Sequence, residues 1–244
     1  KFSKEMTLSD ASTVQTDIFT FGGTNVTAFA GMNRDTDEEL GLKVEDATFG
    51  LAILKEGENK YNALTVDAAS AAVVGIDSVT LSAGRTLIDL NKSKRADNVV
   101  VDFEATNLAV RTNGINTITI DTKGVEKGSF DAIVNDAKFI VDEYVHISGN
   151  AAISMGGSKE LKVQAAALNE TELTSKDITA SYMNVAVTQA DVFVGMGGSY
   201  FGDGDKGDSV GVYLNDVDVA LATYKQLKTS DNFDNMSFTS VKAS

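Results

Sequence analysis

The stretch Gly41-Leu-Lys-Val-Glu-Asp-Ala-Thr-Phe-Gly-Leu-Ala-Ile-Leu-Lys55 decides the fold, because it occurs twice. It returns as Gly211-Val-Tyr-Leu-Asn-Asp-Val-Asp-Val-Ala-Leu-Ala-Thr-Tyr-Lys225, with Gly41/Gly211, Asp46/Asp216, Leu51/Leu221, Ala52/Ala222 and Lys55/Lys225 matched. The segment leading in is matched as well, Val26-Thr-Ala-Phe-Ala-Gly-Met32 against Ala190-Asp-Val-Phe-Val-Gly-Met196. The offset is 164 residues for the leading segments (26 to 190) and 170 for the longer stretches (41 to 211). The loop between them is therefore six residues longer in the second copy. This reads as a tandem unit of about 165 residues, of which the chain carries roughly one and a half.

The repeated stretch states its own secondary structure. Leu42 and Val44 alternate with Lys43 and Glu45, the pattern of a strand with one buried face. After Asp46 the parity flips to Ala47, Phe49, Leu51 and Ile53. The second copy flips at the same place, from Val212 and Leu214 to Val217, Val219 and Leu221. One extra residue that re-aims a strand is a β-bulge, and its recurrence at Asp46 and Asp216 marks it as a built feature. A break between two short strands would give the same pattern.

Working outward, Phe2 to Leu8, Asp17 to Phe21 and residues 24–32 read as strands, followed by the polar loop Asn33 to Glu39. Leu64 to Ala68, Val74 to Ile76, Val79 to Ala83 and Leu87 to Leu90 continue the alternation. So do Val99 to Phe103, Leu108 to Val110 and Ile115 to Ile120. Ser129 to Lys138 reads as one short helix, capped by Ser129, with Phe130, Ile133, Val134 and Ala137 on one face. Strands resume over Phe139 to Ile147, Ala151 to Met155, Glu160 to Ala167, Asp177 to Val187 and Asp191 to Met196, with turns at Gly149-Asn150, Gly156-Gly157 and Gly195 to Gly198. The expected fold is all-β: an extended antiparallel meander or solenoid-like sheet stack of tandem repeats. Residues 1–91 form a partial, first repeat half, 92–147 a connecting β segment with the short helix, and 148–244 the start of the second copy.

Composition bounds the function. The chain has 244 residues, 43% hydrophobic and 23% charged, enough for a folded core. It has no proline and no cysteine. Proline has no N–H to give to a ladder, so long paired strands exclude it; without cysteine there is neither disulfide nor thiol chemistry. The net charge of −14 argues against nucleic acid and against anionic membrane surfaces. No apolar run approaches the ~20 residues of a membrane span. Opening at Lys1 inside a strand-like pattern, the sequence reads as a piece of a longer or matured polypeptide.

Gly202-Asp-Gly-Asp-Lys-Gly-Asp208 places Asp203, Asp205 and Asp208 on a glycine-rich loop, hard oxygen ligands of the kind that hold Ca²⁺. It departs from the twelve-residue calcium loop, with Asp208 where glycine is required and Leu214 where glutamate is required. The matching loop of the first copy offers Asp35 and Asp37 beside Glu38 and Glu39. Each loop reads either as a calcium site or as a solvated acidic turn. His146, the one histidine, cannot build a triad or a zinc site without partners, and reads as a strand residue facing solvent or a turn. The basic cluster Lys92 to Asp97 reads as an exposed turn. No catalytic constellation is legible.

These motifs resemble the tandem repeats of very large bacterial extracellular, adhesin-like proteins. The resemblance lies in Phe29-Ala-Gly31, Gly41 to Leu51, Tyr61-Asn-Ala-Leu64, Val74-Gly-Ile76, Leu81-Ser82 through Leu90-Asn91, and Ser148-Gly-Asn150. It covers most of residues 20–91 and 145–225, and none of 92–140. It implies a secreted or surface-bound structural module, not an enzyme, that is often calcium-dependent. The expected partners are neighbouring copies or repeats of itself, associating through sheet edges. A second expectation is a module binding surface carbohydrate, with Tyr200, Phe201 and Tyr213 as its aromatic candidates.

Overall fold

The computed structural model describes residues 1–125, 127–165, 172, 174–197, 209–227 and 236–244. Thirteen strands are described: β1 (Phe2–Thr7), β2 (Thr13–Met32), β3 (Leu40–Glu56), β4 (Asn59–Val74), β5 (Val79–Ala83), β6 (Thr86–Ser93), β7 (Leu108–Arg111), β8 (Thr117–Ile120), β9 (Ser129–Val141), β10 (Val145–Ala165), β11 (Thr174–Met196), β12 (Val210–Gln226) and β13 (Ser237–Ala243). Eleven of them make one antiparallel sheet in the order β1-β2-β3-β4-β5-β9-β10-β11-β12-β13, while β7 and β8 form a separate hairpin. β6 shares a lane with β5, since both lie between β4 and β9 and the lane breaks only at Gly84-Arg85. The all-β antiparallel meander expected from the alternation is the observed architecture.

No helix occurs among the described residues, and Ser129 to Lys138 is a correction. The segment is the central strand β9, paired with β5 and β6 on one side and β10 on the other. The cause is a bulge. Asp136 has φ +52°, and the pairing jumps from Val134↔Ala151 to Ala137↔Gly149. The three-residue step from Val134 to Ala137 reproduces helical spacing inside a strand.

The bulge read at Asp46 and Asp216 is present in both copies. Their φ values are +51° and +52°. Val26↔Ala47 steps to Ala28↔Val44 in the first copy, and Ala190↔Val217 steps to Val192↔Leu214 in the second. A second bulge on the facing strand is equally conserved between the copies, at Asn25 (φ +54°) and Gln189 (φ +53°). Together with the break at Gly84-Arg85 and the bulge at Asp136, these irregularities line up as a seam across the sheet. Polar groups stitch it: Asn150 Nδ2 donates to Gln189 Oε1 at 2.9 Å, and the Gln189 amide donates to Asp218 Oδ1 at 2.9 Å. Gly149-Asn150 and Gly156-Gly157, read as turns, lie inside β10 beside its register shifts.

Among the described residues the core sits under one end of the sheet. Val99 to Phe103 and the β7–β8 hairpin, expected to continue the strands, leave the sheet and lie across its β1–β4 end. Ile18, Ala52, Leu54, Tyr61 and Ala63 from the sheet pack with Val101, Phe103, Leu108, Val110 and Ile120 from this layer. Glycines permit the approach: a Cβ on Gly22 would lie 2.6 Å from the Arg111 carbonyl oxygen, and one on Gly50 2.6 Å from Ile118.

Candidate functional site

Asp35 and Asp37 lie in the exposed turn between β2 and β3. Asn33 and Asp35 take positive φ, and the carbonyl of Asn33 accepts from the Thr36 amide at 3.2 Å and hydroxyl at 2.7 Å. The Asp35 amide donates to Glu39 Oε2 at 3.3 Å, and the Asp35 carboxylate lies 3.4 Å from Arg34 Nε. Among the described residues no three acidic or histidine side chains converge on one point. Asp203, Asp205 and Asp208, like Tyr200 and Phe201, lie outside the described residues.

Of the Lys92–Asp97 cluster, Lys92, Lys94, Ala96 and Asp97 are exposed as expected, while Arg95 turns inward as a clamp. Arg95 grips Asp97 through Nε at 3.0 Å and Nη2 at 2.8 Å, and its Nη1 reaches the Tyr61 hydroxyl at 3.1 Å and Glu56 at 3.4 Å. Tyr61 in turn donates to Glu56 at 2.8 Å. Burial pushes the Tyr61 phenol up to about 12, and hydrogen bonding to Arg95 holds the Asp97 carboxyl below its usual range. Sequence spacing shows three cations within four residues, whereas the fold points Arg95 inward to pin the layer over the sheet. A similar fork joins Arg85 to Asp67 at 3.0 and 2.8 Å, which lowers the Asp67 carboxyl. Asp89 shifts the other way: burial raises its carboxyl, Thr65 offsets part of this, and Asp121 and Asp131 add to it.

His146 is also corrected. It is 6% exposed, its Nε2 lies 2.9 Å from the Asp142 carbonyl, and its ring meets Phe193 edge-on at 5.8 Å. Phe193 explains the repeated Phe-x-Gly. A Cβ on Gly195 or Gly211, a cross-strand pair, would lie 2.7 or 2.5 Å from the Phe193 ring. In the first copy a Cβ on Gly31 or Gly41 would lie 2.7 or 3.0 Å from the ring of Phe29. The aromatic lies over paired glycines and supplies the apolar cover they lack. Tyr213 stacks on Phe193 at 4.6 Å and its hydroxyl bonds to Ser209.

The two faces of the sheet differ. One face carries the buried core and, farther along, polar rows such as Asp89–Asp131–Ser154–Asn184. On the other, cross-strand partners form the row Phe21, Leu51, Leu64, Leu90, Phe130, Met155 and Met183. Next to it runs Phe49, Val66, Ile88, Ala132, Ile153, Val185, Leu221 and Val241. Phe21 is 58% exposed and Val241 65%. Local alternation made each of these residues look like core; the uncovered face becomes visible only once the register aligns them.

The edges differ too. In β12–β13 the Asp218 and Ser244 amides and carbonyls bond to each other, at 3.0 Å in both directions. The ladder alternates from that pair, so the N–H groups of Thr239 and Val241 point away from β12. β1 is shorter and partly covered: Leu8 bridges Val101, the Asp102 amide donates to the Thr7 carbonyl at 2.8 Å, and Thr7 shares a hydroxyl bond with Thr106. No family model, curated protein or solved structure matches the chain.

Proposed function

We propose that the chain is a structural repeat module of a bacterial cell-surface or extracellular fibrous protein, an adhesin body, spacer or filament subunit. The observation that carries this reading is the placement of the repeat. Hairpin β2–β3 and its copy β11–β12 stand in equivalent positions one strand in from the two edges, β1 and β13, of a single open sheet. Unpaired edge backbone is a template for another strand, and a repeat that pairs across it extends the sheet in one direction. β13 is the more open edge; β1, charged at Lys4 and Glu5 and partly covered, is the restrained one. In this proposal Ca²⁺ binds the acidic turn at Asp35 and Asp37 and the acidic stretch that carries Asp203, Asp205 and Asp208.

Two measurements test it. Light scattering across concentration should show end-to-end multimers, lost in Thr239→Pro/Val241→Pro, because prolines there remove N–H groups that point away from β12 and leave its ladder with β13 paired. A wild-type chain that never associates at high concentration, with or without Ca²⁺, sinks the edge mechanism. For calcium, saturation at 100 times the dissociation constant stabilises by about 2.7 kcal/mol. Thermal melting with Ca²⁺ against EDTA should show a shift that Asp203→Ala/Asp205→Ala or Asp35→Ala/Asp37→Ala reduces; no shift in the wild type removes the cation from the proposal.

A further inference from the structure

We propose that the uncovered apolar face of the sheet is the contact surface for a second copy of this chain, packed face to face. The core-forming layer of residues 99–120 lies on the opposite face, so it leaves this one bare. The two rows above and a third beside them, which runs from Val26 and Ala47 through Thr86 to Val219 and Ala243, cross nine strands, β2, β3, β4, β6 and β9 to β13, without one charged side chain; Thr86, Thr223 and Thr239 are their only polar members. The chain's net charge of −14 is therefore carried elsewhere. Contiguous exposed apolar surface of this kind marks an interaction site.

Area and chemistry choose the occupant. Nine strands about 4.8 Å apart and three rows about 6.8 Å apart cover on the order of 900 Å². A stable interface needs about 800 Å² from each partner. The surface that fits must be apolar, uncharged, as wide as this one, and twisted in the same sense. The same face of a second copy meets all four conditions, because identical sheets stack about 10 Å apart with their strands about 30° from parallel. A two-fold axis lying in the interface, parallel to the two sheets, gives the self-complementary contact that closed dimers use. Beyond the seam, Leu81, Ala137, Phe139, Ile147, Ala151 and Val187 border one shallow apolar depression that continues the same face. This association is separate from strand pairing at β13: it uses side chains on the face, and edge pairing uses backbone at the rim.

Sedimentation equilibrium of the full chain tests the proposal in the Thr239→Pro/Val241→Pro background, which silences the edge and alters the face only at its rim strand β13. A dimer is expected, tightening at least several-fold from low to high salt as the repulsion between two −14 chains is screened. Ile153→Lys/Met183→Lys should leave a monomer with an unchanged circular dichroism spectrum, since those side chains are 37% and 37% exposed. Ile133→Lys, 45% exposed but paired with Ala152 on the opposite face, should keep the dimer. A dimer that survives Ile153→Lys/Met183→Lys overturns the proposal. So does a monomer at high concentration, or a monomer that instead binds phosphatidylcholine vesicles in flotation. Loss of multimers in the proline variant with the dimer retained separates the two modes of association.

Discussion

Leu54 and Tyr224 hold the same place in the repeated strand, and so do Phe29 and Phe193. Leu54 is fully buried while Tyr224 is partly exposed. For the aromatic pair the order reverses: Phe193 is fully buried and Phe29 is only partly so. The reason lies in neighbours and not in the motif. The layer of residues 99–120 covers β2, β3 and β4 below the seam, whereas the matching surface of β11 and β12 has no such cover among the described residues. Above the seam, β10 runs beside β11 and brings His146 onto Phe193. β1 pairs with β2 only from Phe2↔Ile18 to Thr7↔Thr13, so it stops short of Phe29. Identical local instructions are thus buried at opposite ends in the two copies.

Alanine substitutions sharpen this contrast. Phe193→Ala should cost about 3–5 kcal/mol, the range for a buried aromatic, and Phe29→Ala roughly half as much, read from urea midpoints. Equal losses would mean that the glycine pair, and not His146 and the adjoining strand, sets the worth of the ring. Leu54→Ala should cost about 2–5 kcal/mol, against about 1 kcal/mol or less for Tyr224→Ala. Matching losses here would show that the second copy also lies under a covering layer.

The smallest expected effect tests what the copies share. At Asp46 and Asp216 the chain needs positive φ, which costs an alanine about 1–2 kcal/mol and costs glycine little. Asp46→Ala and Asp216→Ala should therefore lose similar stability, with Asp46→Gly and Asp216→Gly near wild type. A large difference between the two alanine variants would break the equivalence of the bulges.

The sequence was a good guide wherever structure depends on neighbours along the chain. Alternation placed most strands, and the parity flip located the bulges at Asp46 and Asp216 before any coordinates. The same signal misled at Ser129 to Lys138, because a bulge at Asp136 spaces Val134 and Ala137 as a helix would. His146 reads as an isolated polar residue in a strand until β11 sets Phe193 against it. Arg95 reads as one cation of a cluster until the turn points it at Tyr61 and Asp97. Of the acidic residues singled out, Asp35 and Asp37 occupy the exposed turn their composition suggested.

The amino-acid sequence by itself determined the all-β class, the repeat, the bulges and the recurring Phe-x-Gly. Each depends on φ preference, side-chain alternation or the i, i+2 reach of a single strand. Only the tertiary structure decided which face is covered. Residues 99–103 and 108–120 have the same apolar alternation as the sheet strands, and nothing local says that they will lie across it. That choice buries Leu54 and Tyr61 and leaves Phe21, Ile153 and Met183 uncovered, because apolar side chains on a two-sided sheet are interchangeable until a second layer selects one side.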